Sequence, residues 1–136
     1  MLYILHMGNR PGLTYKGGQR PIIHLQADML AVVRWADSSH VLWAFTDRNA
    51  RDERADYRKA ILDLSRVNWI AVESDNFRDA VVKEGKQAEF LVKDRFPWNL
   101  VTTIGVIDDT VRQQVDGILV NAAHKPAVRI TRGWYF

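Results

Sequence analysis

Cysteine is absent from this sequence of 136 residues. Disulfide bonds, zinc sites built on thiolates and cysteine nucleophiles are therefore excluded. Long apolar runs are absent as well, since no stretch approaches the roughly 20 residues that span a membrane. The apolar opening Met1–Met7 is also too short for a signal peptide. We therefore expect a cytoplasmic protein with no membrane partner.

Motifs for metals and nucleotides are missing too. The histidines are scattered without the spacing of metal ligands, so we expect no metal. Gly17-Gly18 lacks the strand, glycine-rich turn and helix of a phosphate-binding loop. No repeat or Pro/Gly/Ser linker divides the chain. We expect a single domain over residues 1–136, which is long enough to bury a core.

The composition is that of an ordinary globular protein, with 47% hydrophobic and 26% charged residues. The net charge of +3 permits a nucleic-acid partner without establishing one. Strand-like and helix-like segments alternate, which predicts the α+β class with a mixed sheet. The predicted strands are 22–25, 41–45, 87–93, 102–107 and 128–130. The predicted helices are 27–38, a segment from Thr46-Asp47 to Ser65, and one that Asp108 or Asp109 caps.

Two of these segments carry specific predictions. In the last helix, Val111, Val115, Ile118 and Leu119 share an apolar face by their spacing. Residues 68–86 lose their periodicity and are interpreted as a long loop with about one helical turn. Loops of that length are usually either functional or disordered.

Glu89 is the principal catalytic candidate. Side chains of a strand point alternately to opposite faces, so Ala88, Phe90 and Val92 would face the core while Glu89 would face away with Lys93. A carboxylate mounted on a rigid strand suits catalysis, because its geometry must survive the reaction. A glutamate on a solvated strand face fits the same pattern, and the pattern by itself favours that interpretation.

Several sequence blocks resemble, in the same order, those of one protein family. Gln87–Val92, followed by Phe96-Pro97-Trp98, is similar to the segment that carries the catalytic glutamate of the DarT family of DNA ADP-ribosyltransferases. The other matching blocks are Met1-Leu2-Tyr3, Gly17-Gly18-Gln19, Pro21–Leu25, Phe45-Thr46-Asp47, Val67-Asn68-Trp69, Ile104-Gly105-Val106, His124-Lys125-Pro126 and Trp134-Tyr135. The resemblance covers essentially the whole chain.

The resemblance implies a fold and a reaction. The fold would be an ADP-ribosyltransferase-like split mixed sheet with flanking helices. The reaction would move ADP-ribose from NAD to a base of single-stranded DNA, thymidine rather than guanosine, as the toxin of a toxin–antitoxin pair. Glu89 would hold the ribose hydroxyl and stabilise the cationic ribose, and Tyr3, Thr46 and Asn49 would contact NAD. The partner would be the macrodomain antitoxin DarG.

The resemblance also implies that the loop before Glu89 presents the DNA. The residues expected to contact it are Trp69, Phe77, Arg78, Lys83 and Lys86. Stacking of an aromatic side chain on an unpaired base is worth about 1–3 kcal/mol. Each of these side chains also has an ordinary structural interpretation, as an anchor of the loop for the aromatics and as solvated charge for the cations.

The chain departs from the family pattern at two places. Family members carry a His-x-Thr element and an arginine before the position of Met1, and no His-x-Thr occurs here. The chain is therefore expected to represent the C-terminal two-thirds of the family's domain, without its N-terminal part. Asn49 stands where the family commonly has a histidine, and asparagine cannot shuttle a proton near neutral pH.

These departures leave two alternatives to the enzyme. One is a catalytically incompetent fragment that keeps the fold. The other is a module that binds single-stranded nucleic acid through the loop and its basic residues.

Overall fold

The computed structural model describes residues 14–74, 76 and 78–136. The chain divides into two compact units. The terminal unit comprises Met1–Val32 with Pro97–Phe136, and the middle unit comprises Val33–Phe96. Each contains a three-stranded sheet. Mixed α+β structure was predicted from the sequence and is confirmed.

The sheet of the terminal unit is mixed. Strand β5 (Val101–Val106) lies at its centre, with β1 (His24–Ala27) antiparallel on one side and β6 (Ala127–Ile130) parallel on the other. Helix α4 (Asp109–Leu119) connects the parallel strands, as such pairs require.

The core of the terminal unit lies between β5 and α4. Val111, Val115 and Leu119 pack against Val101, Ile104 and Val106. Asp108 begins the helix, because its carboxylate accepts the Val111 N–H at 2.9 Å. Ile118 was expected on the same face, but its side chain is 80% exposed, so that prediction was wrong.

The sheet of the middle unit is antiparallel, in the order β3 (Tyr57–Arg58), β2 (Trp43–Thr46), β4 (Phe90–Val92). Helix α1 (Met29–Ser38) supplies Val33 and Ala36 to its core. Phe90 stacks on Trp43 with ring centroids 5.8 Å apart. The alternation predicted around Glu89 therefore holds at Phe90, which faces the core.

The predicted helix from Thr46-Asp47 to Ser65 was wrong. The chain instead forms turns, strand β3 and a 3-10 helix at Ile61–Arg66. Asn49 Oδ1 accepts the Arg51 N–H, and Asp52 Oδ1 accepts the Arg54 N–H, both at 2.9 Å. Such local side-chain bonds compete with helical hydrogen bonding.

The long loop predicted over 68–86 was also wrong in part, since two short helices form there. Helix α2 (Trp69–Glu73) is capped by Asn68, and α3 (Ala80–Gly85) is capped by Asp79. Strand β4 is shorter than predicted because the N–H groups of Gln87 and Ala88 donate to Glu84 and Gly85 at the end of α3.

Among the described residues, no helix is long and apolar enough to cross a membrane. Within those same ranges, no group of three or more histidine and carboxylate side chains is arranged to hold a metal ion.

Candidate active site

Glu89 lies immediately before β4 and is held at both its backbone and its side chain. Its carbonyl accepts the Thr46 N–H at 2.9 Å, and its own N–H donates to Thr46 Oγ1 at 3.1 Å. These bonds extend the β2–β4 ladder by one residue. The backbone that carries the carboxylate is therefore fixed by the sheet.

The Glu89 carboxylate is fixed at one oxygen, and its other oxygen has no partner among the residues that the structure describes. Oε2 accepts the Ala50 N–H at 2.9 Å. Oε1 has no hydrogen-bond partner in the described part of the chain, and it is not among the buried polar atoms that lack one. Within the described residues this leaves one acceptor oxygen on an oriented carboxylate, and such an acceptor is suited to a sugar hydroxyl.

Ala50 is itself held by the strand across the turn. The hydroxyl of Tyr57 donates to the Ala50 carbonyl. The peptide groups on the two sides of Ala50 are therefore bonded to β3 and to Glu89, so that the turn cannot move without breaking one of these bonds.

The Thr46 side chain also links this turn to Glu89. Its side chain is fully buried, and its hydroxyl donates to the Arg48 carbonyl at 2.6 Å while accepting the Glu89 N–H. The expected contact of Thr46 with NAD is disfavoured by this burial. Thr46 instead positions the catalytic candidate.

A network of charged side chains connects the turn after β2 to α3. Glu84 Oε1 accepts Arg48 Nη1 at 2.6 Å and Arg54 Nη2 at 2.8 Å. Asp47 and Asp52 complete the network as partners of Arg48 and Arg54. Since the sequence distance between Arg48 and Glu84 is 36 residues, no local pattern predicted it.

Ion pairing in this network shifts the pKa values of its aspartates and arginines toward the charged forms. The Arg48 guanidinium lowers the pKa of Asp47 below its usual range, and hydrogen bonds from Arg54 lower the pKa of Asp52 to about 2. Hydrogen bonding to Asp47 in turn raises the pKa of Arg48. The two arginines are therefore paired with three carboxylates, those of Asp47, Asp52 and Glu84.

A cavity of about 410 Å³, called here the Lys83 cavity, lies beside this network. Its lining consists of residues from the turn after β2 and from α3 onward: Arg48, Asn49, Asp52, Arg54, Ala80, Val81, Lys83, Glu84 and Gln87. Glu89 is not part of the lining. Gln87, two residues before Glu89, and Asn49, which precedes the Ala50 that bonds to the Glu89 carboxylate, belong to the lining.

Two of the predicted site residues, Asn49 and Lys83, thus line one cavity. Asn49 Oδ1 is already engaged with the Arg51 N–H, which leaves its amide N–H groups for a ligand. Arg78 is exposed and its side chain has no bonded partner among the described residues. Tyr3 and Phe77 lie outside those residues.

Trp69 and Lys86 have structural partners within their own segment. The Trp69 indole N–H donates to the Leu64 carbonyl at 2.8 Å, although the side chain remains 46% exposed. Lys86 Nζ donates to the Val72 carbonyl at 2.7 Å and so joins α3 to α2. Their contact with DNA stays a prediction.

The site contains residues that sequence reasoning did not single out. Arg48 and Glu84 bridge two segments, and the Ala50 N–H orients Glu89. The local sequence around a charged residue does not show which distant residue it pairs with. A backbone N–H has no sequence signal, because every residue except proline has one. The one available signal was that Arg48 directly follows the Phe45-Thr46-Asp47 block, which resembles a family block.

Comparison with known proteins gives a consistent result. The family described as "ssDNA thymidine ADP-ribosyltransferase, DarT" matches residues 1–136. A DNA ADP-ribosyl transferase of Thermus aquaticus is 40% identical over 138 residues, which are all of this chain and 58% of that relative. The chain therefore spans less than two thirds of that protein's length.

Solved structures match the fold as well. Thermus sp. 2.9 DarT in complex with NAD+ is 32% identical with a TM-score of 0.88, over 99% of this chain and 66% of that one. The same protein in complex with ADP-ribosylated ssDNA also gives 32% and 0.88, over 99% and 63% of the two chains.

Proposed function

The chain belongs to the DarT family, and from that premise we propose that it transfers ADP-ribose from NAD to a nucleobase of single-stranded DNA, with thymidine preferred over guanosine. The observation that carries the proposal is the Glu89 carboxylate, whose Oε2 is fixed by Ala50 and whose Oε1 has no partner in the described part of the chain. The relative from Thermus sp. 2.9 binds NAD+ and ADP-ribosylated ssDNA, which supports the same donor and acceptor here.

The proposed reaction breaks the bond between the ribose carbon and the nicotinamide nitrogen. The bonding pair leaves with nicotinamide, which becomes neutral, and the ribose develops positive charge. Oε1 of Glu89 accepts a hydrogen bond from a ribose hydroxyl and faces that charge. Preorganised negative charge lowers the energy of a cationic transition state more than that of the substrate.

The acceptor base then attacks the ribose carbon through a ring nitrogen. The new carbon–nitrogen bond replaces the nicotinamide bond, and the N–H proton of the base passes to the Glu89 carboxylate. No histidine is needed for this step, since Asn49, whose side chain cannot take a proton, is left to orient a substrate with its amide N–H groups.

The test is incubation with NAD and mixed-sequence single-stranded DNA. We expect DNA to gain the mass of one ADP-ribose, and Glu89→Gln to lower the rate by about 10³-fold or more. This variant keeps the size and the acceptor oxygen that Ala50 requires but removes the charge. Equal rates in the two proteins contradict the proposal, and oligonucleotides that lack thymidine or guanosine identify the base.

A second function is favoured by the replacement of histidine by Asn49. In that case the chain binds single-stranded nucleic acid through α3 and its neighbours without chemistry. Binding of DNA with no change of its mass identifies this alternative.

The proposed cellular role is that of the toxin in a toxin–antitoxin pair. We propose a cytoplasmic location, because NAD and cellular DNA are the proposed substrates. The proposed partner is the macrodomain antitoxin DarG, expected to remove the modification. Failure of a purified DarG to restore the original DNA mass contradicts this assignment.

A further inference from the structure

A second cavity of the middle unit lies at the opposite end of the β2–β4 ladder from Glu89. It measures about 480 Å³ and is lined by residues 39–42, which follow α1, and by residues 93–95, which follow β4. We call it the Lys93 cavity. The Lys93 N–H donates to the Leu42 carbonyl at 2.9 Å, so the two lining segments are bonded to each other.

The cations of the Lys93 cavity are available to a ligand. The Lys93 and Arg95 side chains are exposed, and neither forms an ion pair within the ranges that the structure describes. Asp94 is the single carboxylate of the lining. At the Lys83 cavity, by contrast, Arg48 and Arg54 are already paired with Asp47, Asp52 and Glu84, and Lys83 is the one lining cation without an ion pair among the described residues.

The backbone of the Lys93 cavity is unusual as well. His40 (φ 54°) and Asp94 (φ 64°) are the residues other than glycine that adopt positive φ in the described part of the chain, and both belong to this lining. Histidine and aspartate tolerate that conformation better than most residues. At His40 this conformation ends α1, because the Val41 N–H donates to the Ala36 carbonyl at 2.8 Å as in a helix C-cap. The two turns give the lining a defined backbone shape.

We infer that the Lys93 cavity binds a phosphate group of the DNA strand whose base is modified at Glu89. Mobile ammonium and planar guanidinium groups beside a pocket are suited to phosphate oxygens. This inference rests on the proposed function, because it requires single-stranded DNA as the ligand. It adds a DNA contact away from Glu89 and the Lys83 cavity, on residues that the family resemblance did not single out.

The geometry of the ladder sets the distance between the two sites. Thr46 is bonded to Glu89 at one end of the β2–β4 pair, and Leu42 is bonded to Lys93 at the other. The two strands therefore stay in register between these residues. Residues four apart on a strand lie on the same face and are separated by about 13 Å. Measured along the axis of a stacked strand, which rises by about 3.4 Å per nucleotide, that span corresponds to roughly four nucleotides.

The test measures DNA affinity against salt concentration with a catalytically silenced chain. In the Glu89→Gln background, we compare Lys93→Gln/Arg95→Gln with Lys59→Gln/Arg129→Gln, which removes the same charges at exposed positions elsewhere. Each lost phosphate contact lowers the slope of log affinity against log salt by about 0.7. We expect a fall of about 0.7–1.4 for the cavity variant, and no fall for the control.

Two further measurements decide the source of the phosphate. The effect of the cavity variant is expected with a long oligonucleotide and not with a dinucleotide, which cannot span the two sites. Affinity for NAD alone is expected to be unchanged. An equal slope in both variants, an effect that persists with the dinucleotide, or weaker NAD binding each overturns the inference.

Failure of the proposed function remains distinguishable. If the chain binds DNA with the expected change of slope but never alters its mass, the Lys93 cavity stands and the transferase does not. If transfer occurs and the slopes are equal, only the Lys93 cavity is wrong. The circular dichroism spectrum of each variant, expected to match the parent because both positions are exposed, confirms that the folds are comparable.

Discussion

At the scale of single residues, Glu84 connects the turn after β2 to α3 through one carboxylate oxygen shared by Arg48 and Arg54. The turn supplies the Ala50 N–H that orients Glu89. An acidic residue outside the proposed chemistry is thus two contacts away from the reacting carboxylate.

Replacing Glu84 by alanine leaves the half-buried Arg48 without one of its partners. We expect the free energy of unfolding to fall by about 1–2 kcal/mol, between the values for exposed and buried pairs. The maximal rate of transfer is expected to fall as well, because the turn that fixes Glu89 is released. Denaturant unfolding and steady-state kinetics measure the two effects.

Glu53→Ala is the matched control, since Glu53 is an exposed carboxylate of the same turn. It removes the same charge without touching the network. If both variants lose the same rate or the same stability, Glu84 acts through overall charge and the positional role is refuted.

At the scale of elements, α3 is too short to be stable in isolation. Its first turn depends on Asp79, whose Oδ1 accepts the N–H groups of Val81 at 2.7 Å and Val82 at 3.2 Å. Its last turn is held by the Glu84 ion pairs. One wall of the Lys83 cavity is therefore fixed by polar contacts at both ends.

Removal of the cap by Asp79→Ala is expected to cost about 1 kcal/mol. We expect the loss to be local, so that amide hydrogen exchange accelerates in α3 while β2 and β5 keep their protection. Asp79→Asn retains an acceptor and should behave like the parent. Uniform acceleration across the whole chain is the result that contradicts a local role.

The packing of strand β5 depends on the absence of a side chain at Gly105. A Cβ at Gly105 would lie 2.5 Å from Trp134 Cζ3 and 2.6 Å from Thr131 Oγ1. Gly105→Ala is therefore expected to destabilise the terminal unit by about 1–3 kcal/mol through overpacking.

Gly117 in α4 provides the comparison, because no atom lies within 4 Å of its added Cβ. Gly117→Ala should stabilise the chain by about 0.5–1 kcal/mol, since alanine is the better helix former. Melting temperatures of the two variants should move in opposite directions, and a lower value for both excludes this explanation.

At the scale of the whole molecule, acid acts in two pH ranges, the higher through a histidine and the lower through aspartates of both units. Burial lowers the pKa of His24 in the terminal unit below 6.5, where its ring packs edge-on against Trp134 and Tyr135. Bonds to arginine or to backbone N–H groups lower the pKa values of Asp47, Asp52 and Asp108.

The sign is the same for every one of these groups. Each folded-state pKa lies below the unfolded value, so the folded chain binds fewer protons and the free energy of unfolding falls as the pH falls. For His24 the loss begins near pH 6.5. For the aspartates it begins near pH 3.8, and for Asp52 it continues to about pH 2.

Denaturant unfolding at a series of pH values measures both losses. We expect His24→Phe to abolish the first loss and to leave the second unchanged. A parent chain that is as stable at about pH 5 as at neutral pH contradicts the assignment to His24.

The sequence by itself determined the class of fold, the α4 helix with a cap at Asp108 or Asp109, and Glu89 as the catalytic candidate. Periodicity and capping are short-range properties, and a family block is read directly from consecutive residues. Prediction from the sequence failed over 47–86. Local side-chain bonds replaced the first part of the predicted helix, and capping residues began two short helices within the predicted loop.

Only the tertiary structure decided how Glu89 is held and which residues surround it. The Ala50 N–H is 39 residues from the carboxylate it orients, and Arg48 is 36 residues from Glu84. Residues that far apart come into contact through strand pairing and packing, and the sequence around each of them does not predict the contact. The pairing of Leu42 with Lys93, which creates the second cavity, is hidden from the sequence for the same reason.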